Sequence, residues 1–251
     1  MKDNPGYSVS LKTSSGKPVK IIYEDNHLFV INKPSGLLVQ GDKTGDEDVL
    51  SIVKNFIKVR DKKPGNVFLG LPHRLDRPTS GVVVLAKTSK ALSRLTEEFR
   101  SRNTEKIYWA ITYKKPPEQE DLLIHYLVKD SRTNTSKAVK ASYPGAKEAK
   151  LRYRLIASSD RYFLLEVHLL TGRHHQIRVQ LASIGCVIKG DLKYGAKRSN
   201  PDGGISLHAR SLKLKHPVKK TEDIFTASPP DATLWNYFKE KCLAEINKLR
   251  S

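Results

Sequence analysis

Residues 72–87 read PHRLDRPTSGVVVLAK, and the division of this stretch into two halves decides the fold around it. The second half, from Gly81 to Lys87, is a β-branched apolar run and reads as a buried strand. The first half sets Arg74, Asp76 and Arg77 around one leucine, and Pro78, Thr79, Ser80 and Gly81 then turn the chain into the strand. A carboxylate at the mouth of a buried strand needs a partner. Taken alone, Asp76 reads as a turn cap or as one half of a structural ion pair. The small, rigid residues that follow it also allow a ligand to come close.

On the N-terminal side, IIYEDNHLFVINKP (21–34) reads as a hairpin, with Ile21–Tyr23, a turn at Glu24, Asp25 and Asn26, and Leu28–Ile31. DVLSIVKNFIKVR (48–60) carries a helical apolar stripe behind an acidic cap. Beyond the strand, TSKALSRLTEEFRSR (88–102) aligns Leu92, Leu95 and Phe99 on one helical face, capped by Thr88 or Ser89. KIYWAITYK (106–114) alternates, with Ile107, Trp109 and Ile111 on one face and Tyr108, Ala110 and Thr112 on the other. Residues 129–148 are basic and turn-rich and read as an exposed loop or hairpin, and 150–170 as two strands around a turn at 158–161. HHQIRVQLASIG (174–185) is a short helix closed by Gly185, and TLWNYFKEKCLAEINKL (233–249) an amphipathic one. Strands precede, follow and interrupt helices without a βαβ rhythm. The expected class is therefore α+β: a curved, mostly antiparallel mixed sheet flanked by helices, with a central basic cleft. The expected organisation is a flexible basic tail over 1–19, one domain over 20–228, and a C-terminal helix over 229–251 packed on it.

Among 251 residues, 45 Lys and Arg face 26 Asp and Glu, a formal charge of +19. An excess of this size favours a polyanionic partner, because Lys and Arg release counterions from phosphates. Hydrophobic residues are 38% of the chain, enough for a sizeable core. Cys186 and Cys242 lie far apart and outside any zinc-ligand spacing, so neither a disulfide framework nor a structural metal is expected. The N-terminal residues lack a signal-peptide core, and no stretch approaches the ~20 apolar residues of a membrane span. A cytoplasmic monomer without membrane attachment follows as the expectation. No helix-turn-helix or zinc-finger pattern points to DNA.

Two further places could serve Asp76. Tyr108 projects from its strand on the face opposite Trp109. LLTGRHHQIRVQLASIG (169–185) offers Arg173, His174, His175, Gln176 and Arg178 where a strand becomes a helix, a junction suited to an anion. Read singly, Tyr108 is an ordinary strand aromatic and Arg178 a surface arginine. His174 and His175 are adjacent, point to opposite faces if extended, and have no acid or cysteine at ligand spacing, which excludes a metal reading. Asp191 reads as a turn and packing residue, and His73 and His208 as structural.

Together the motifs resemble the RluA-type RNA pseudouridine synthases. PHRLDRPTSGVVVLAKTSKA (72–91) carries the resemblance, with NKPSGLLV (32–39), KIYWAI (106–111), LLTGRHHQIRVQLASIG (169–185), IKGDLKYG (188–195) and LHARSLKLKHPV (207–218) in the family's order. It extends over roughly residues 20 to 225 and makes the domain at 20–228 a pseudouridine synthase catalytic domain. It implies an isomerase that detaches uracil from a uridine in RNA, turns the base and rejoins it through C5, with no metal or organic cofactor. It implies Asp76 as the essential catalytic residue, Tyr108 stacking on the target base, Arg178 paired with Asp76, and Arg74 assisting nucleotide flipping. Arg77, Thr79, Arg173, His175 and Gln176 complete the expected substrate contacts. The expected partner is RNA, ribosomal ahead of transfer RNA, and not DNA. The alternative is an RNA-binding protein of the same fold without catalysis. Many relatives carry a further N-terminal RNA-binding module; about twenty residues are too few for one, so none is expected here.

Overall fold

The computed structural model describes residues 10–248. In chain order the elements are β1 (Ser10–Lys12), β2 (Pro18–Glu24), β3 (Leu28–Lys33), α1 (Val49–Arg60), β4 (Ser80–Ala86), α2 (Ser89–Arg100), β5 (Glu105–Thr112) and β6 (Glu120–Asp130). They continue with β7 (Thr135–Val139), β8 (Lys147–Ser158), β9 (Phe163–Leu169), α3 (Gln176–Ser183), β10 (Leu207–Lys215), β11 (Glu222–Thr226) and α4 (Thr233–Lys248). A 3-10 turn at Leu192–Tyr194 lies between α3 and β10. The registers of the hairpins and of the β3–β4 pair are all antiparallel, as the irregular alternation of helices and strands implies.

The chain forms two compact units. The first holds the residues up to Glu105 and Ala209–Ser228; the second holds Lys106–His208 and the chain from Pro229 onward. In the first unit the strand order is β1-β2-β3-β4-β10, with β11 on β10. Every residue of β4 is buried, because both faces of this sheet are covered. Leu28, Val30, Val82 and Val84 meet Ala91 and Leu95 of α2, and Leu212, Leu214 and Phe225 close the same cluster. On the opposite face the Phe29 ring meets Phe56 of α1 edge-on at 6.2 Å. A strand covered on both sides reads as a continuous apolar run, which is what GVVVLA is. Each fully buried valine or leucine there contributes about 1.5–3 kcal/mol of transfer free energy. Gly81 permits this packing: its φ is +120°, and a Cβ would stand 2.3 Å from the Ala209 carbonyl oxygen of β10.

In the second unit the order is β5-β9-β8-β6-β7. Trp109 and Ile111 of β5, Ala157 and Leu164 form one face, which Trp235 and Phe238 of α4 cover. The other face carries Leu127 and Ala149 against Val179 of α3. Tyr108 lies opposite Val167, and Val167 opposite Tyr153. Tyr153 shares its face with Ala149, four residues earlier on β8. Tyr108 and α3 are therefore on the same side of this sheet.

Three expectations change. The tail expected over 1–19 is strand from Ser10 onward in part, because Leu11 is buried and β1 pairs with β2; residues 1–9 lie outside the described residues. The single domain at 20–228 divides into two units, and the C-terminal helix packs as part of the second one. The His174–His175 rings stack at 3.8 Å instead of pointing apart. His175 has φ +54° and opens α3, so the alternation of an extended strand does not apply.

Candidate active site

Asp76 is half-buried on the turn that leads into β4, between exposed Arg74 and exposed Arg77 and beside buried Leu75. Its carbonyl accepts from the Thr79 amide at 3.0 Å, which closes the turn. From the other side His73 Nε2 accepts from the Val84 amide at 3.0 Å, and its ring stacks on Phe99 of α2 at 4.6 Å. Through His73 the turn is thus fixed both to the central strand and to a helix. Thr79 is 2% exposed, and its hydroxyl has no hydrogen-bond partner among the described residues. Arg77 donates from Nε to the Gly36 carbonyl at 3.0 Å and pairs through Nη1 with Asp46 at 2.8 Å.

The NKPSG segment explains itself against this turn. The Gly36 amide donates to the Arg77 carbonyl at 2.9 Å, and Ser35 Oγ donates to the Pro78 carbonyl at 2.9 Å. Lys33, at the end of β3, is 0% exposed. Its Nζ donates to the carbonyls of Pro34 (3.1 Å), Leu37 (2.8 Å) and Arg77 (3.1 Å). Burial pushes its ammonium down to about 7; Asp76 pulls it back up, while Lys17 and Arg77 push with the burial.

In the second unit, Tyr108 is 9% exposed on β5. Arg178 is buried, so the surface-arginine reading does not hold. It donates from Nε and Nη2 to the two carboxylate oxygens of Asp191, each at 2.7 Å. Its guanidinium also lies 5.0 Å from the centre of the Tyr194 ring. The Tyr194 hydroxyl accepts from the Ser136 amide of β7 at 2.8 Å and lies 2.8 Å from His175 Nδ1. A neutral His175 imidazole accepts from that hydroxyl or donates to it according to its tautomer. Burial, and next the Arg178 charge, hold His175 well below the usual imidazole range. His174 Nδ1 meets Ser136 Oγ at 2.9 Å.

Gln176 is committed to the scaffold. Its Oε1 accepts from Thr171 Oγ1 and from the Arg173 amide, and its Nε2 donates to the Lys150 carbonyl and to Gln180 Oε1. Arg173, half-buried, donates from Nε to the Glu148 carbonyl at 2.9 Å. The structure thus gathers Arg74, Asp76, Arg77 and Thr79 in the first unit, and Tyr108, Arg173, His175, Gln176 and Arg178 in the second. Three further residues belong with them: Lys33, Asp191 and Tyr194. Asp191 is a turn residue, as read, but also the buried counter-ion of Arg178. The one sequence signal for these three was their position inside NKPSGLLV and IKGDLKYG.

The chain matches the family model described as RNA pseudouridylate synthase over residues 27–183. It is 31% identical over 238 residues to ribosomal large subunit pseudouridine synthase C of Buchnera aphidicola subsp. Baizongia pistaciae, covering 87% of this chain and 73% of that one. It is 34% identical to ribosomal large subunit pseudouridine synthase D of Xylella fastidiosa, covering 85% of this chain and 67% of that one. Among solved structures, human RNA pseudouridylate synthase domain containing 4 superposes with a TM-score of 0.70 at 29% identity, covering 84% of this chain and 88% of that one. With the model spanning more than half of the sequence and these relatives above 30% identity, the chain belongs to the RNA pseudouridylate synthase family, whose enzymes are isomerases.

Proposed function

We propose that the chain converts a specific uridine to pseudouridine in structured RNA, with large-subunit ribosomal RNA ahead of transfer RNA as substrate. The reaction breaks the bond from uracil N1 to ribose C1′ and forms one from C5 to C1′; C5 loses a proton and N1 gains one. Substrate and product are isomers, so no oxidant, reductant or group donor enters the balance. The observation that carries this reading is the family match, whose span includes Asp76, Tyr108 and Arg178 on their motifs.

Asp76 is the catalytic carboxylate, acting on the everted nucleotide, and Arg178 is its cationic partner. Asp191, by taking Nε and Nη2, fixes the plane of the Arg178 guanidinium. Tyr108 offers a stacking plane for the base, worth about 1–3 kcal/mol. A base must leave its stack before the glycosidic bond is accessible, at a cost of about a few kcal/mol. Arg74 fills the vacated space, while Arg77, Arg173 and His175 contact the neighbouring RNA and the Thr79 hydroxyl contacts the target nucleotide. Gln176 holds the segment that carries these residues.

The test is incubation with transcripts of large-subunit ribosomal RNA and of transfer RNA, followed by carbodiimide mapping of pseudouridine. The wild-type chain gives product at one position, and Asp76→Asn lowers the rate by a factor on the order of 10³ or more. Product that persists in Asp76→Asn removes Asp76 from the chemistry. RNA binding without product in the wild-type chain establishes the non-catalytic alternative.

A further inference from the structure

Residues 129–150 lie outside the motifs that carry the resemblance, and they hold six lysines and arginines against two acids. Both acids are engaged: Glu148 pairs with Lys150 at 3.0 Å, and the Asp130 carboxylate accepts from the amides of Arg132 and Thr133. Lys137, Lys140 and Lys147 are exposed, and none has a carboxylate partner among the described residues. Like charges gathered without counter-ions favour an incoming anion. Lysines alone would make only a solvated face, but Tyr143 stands among them, 45% exposed, with Lys137 Nζ over its ring at 5.7 Å. The backbone that carries this ring is fixed. Its amide donates to the Lys140 carbonyl, and its carbonyl accepts from the Ala146 amide, each at 3.0 Å. Pro144 and Gly145, the latter at φ +74°, form the centre of that second turn, the order a type II turn requires. An aromatic side chain on a preformed turn loses little freedom when a ligand covers it.

The loop also has a fixed place in the second unit. β7 is the last strand of the sheet, and it is held to the segment before α3 at Ser136: the Ser136 amide donates to the Tyr194 hydroxyl, and Ser136 Oγ meets His174 Nδ1. From Ser136 to Lys140 the strand runs about 13 Å. Lys147 lies opposite Leu127, on the face that carries α3, whereas Lys137 follows Ser136 and points to the other face. The cations therefore cross the sheet edge, with Tyr143 between them. We propose that this edge is a second RNA contact, in which Tyr143 stacks on an unpaired base flanking the target uridine and Lys137, Lys140 and Lys147 hold the phosphates around it. An open ring selects an unpaired nucleotide, since the faces of a paired base are already stacked. The distance from the Ser136 latch makes that nucleotide a neighbour of the target and not the target itself. The inference rests on RNA being the substrate, as proposed above, and it names the part of the substrate that this loop takes.

The test needs no turnover in its first arm. Binding of the full chain to a labelled oligouridylate of about 16 nucleotides is followed by fluorescence anisotropy. Tyr143→Ala is expected to raise Kd about tenfold, and Tyr143→Phe, which keeps the ring, to stay near the wild type. Replacing Lys140 and Lys147 together by glutamine is expected to reduce the slope of log Kd against log salt by about 1.4. An RNA duplex of the same length, and polyglutamate, are expected to compete more weakly than the unlabelled single strand. Tyr143 is exposed, so the urea midpoint of Tyr143→Ala should match the wild type and a loss of binding reads as a loss of contact. A wild-type Kd in Tyr143→Ala overturns the inference. So does an equal loss in Tyr143→Phe, which would assign the effect to the hydroxyl, or equal competition by duplex or polyglutamate, which would make the loop a contact for charge alone. In the second arm, on a transcript that gives product, Tyr143→Ala is expected to raise KM by the same factor; an unchanged KM removes the contact from the reaction and overturns the flanking role. A wild-type chain that makes no product on any transcript defeats the proposed function, and the first arm still decides whether Tyr143 takes a base.

Discussion

The Arg178–Asp191 pair sits where neither charge meets water, with side chains 4% and 1% exposed. Such a pair adds little net stability over apolar residues of the same shape, but breaking it strands a buried charge. Asp191→Asn keeps the shape and removes the charge, so it is expected to cost about 3–5 kcal/mol in urea unfolding. Replacing both members with apolar residues is expected to recover most of that loss, and a double-mutant cycle separates the two effects. Asp76 was legible in the sequence because its setting is local: two arginines, a turn and a strand within a few residues. Asp191 was not, because its partner is 13 residues away across a helix and a loop. Lys33 was less legible still, since its acceptor on Arg77 is 44 residues away and a lysine next to a proline gives no sign of burial.

At the scale of elements, what the sequence revealed was what local chemistry enforces. Asp48 caps α1 by accepting from the Ser51 amide at 3.1 Å, and Thr88 caps α2 by accepting from the Ala91 amide at 3.1 Å. Both helices begin where the capping residues stand. Thr88→Ala is accordingly expected to cost about 1 kcal/mol, read from thermal or urea unfolding. Gly81→Ala lies in a different class. The added methyl meets backbone atoms of Ala209 at 2.3–2.8 Å, and the residue holds φ +120°. Neither the β4–β10 pairing nor the dihedral can give way cheaply, so a loss of at least about 2 kcal/mol is expected. The strands that escaped the sequence are those whose alternation is masked. On β6, Leu123 and Leu127 face inward, yet Leu122 and Ile124 on the outer face are also apolar, 41% and 49% exposed. Two apolar faces erase the period of two. β10 mixes His208, Arg210 and Lys213 among its apolar residues, because part of its stabilisation comes from strand neighbours that the local pattern does not record.

For the molecule as a whole, the titrations on the acid side act in one direction. Burial opposes the charge of Asp25, but its bonds from Lys219, the His27 and Leu28 amides and Tyr23 overcome that and hold it well below the usual carboxylate range. Its contribution is present above 3.8 and is lost as pH falls from there toward the folded value. His175, held neutral by burial and by the Arg178 charge, binds a proton at 6.5 only when unfolded, so stability also falls as pH drops below 6.5. Lys33 extends the slope: between about 7 and 10.5 the unfolded chain carries a proton that the fold does not, and stability rises with pH. Cys186 limits that rise. Burial pushes its thiol up to about 11 from 9.0, so over that interval the folded chain holds the extra proton and stability falls with pH. The formal charge of +19 acts with the first three groups, since self-repulsion grows as histidines gain protons. The urea midpoint is therefore expected to be higher near about pH 8 than near about pH 5.5. His175→Gln should flatten the part of the curve just below 6.5, and Lys33→Met the part just above 7. A midpoint that is highest near about pH 5.5 would mean that both groups titrate in the fold as they do in the unfolded chain, and that neither the imidazole nor the ammonium is as enclosed as its hydrogen bonds require.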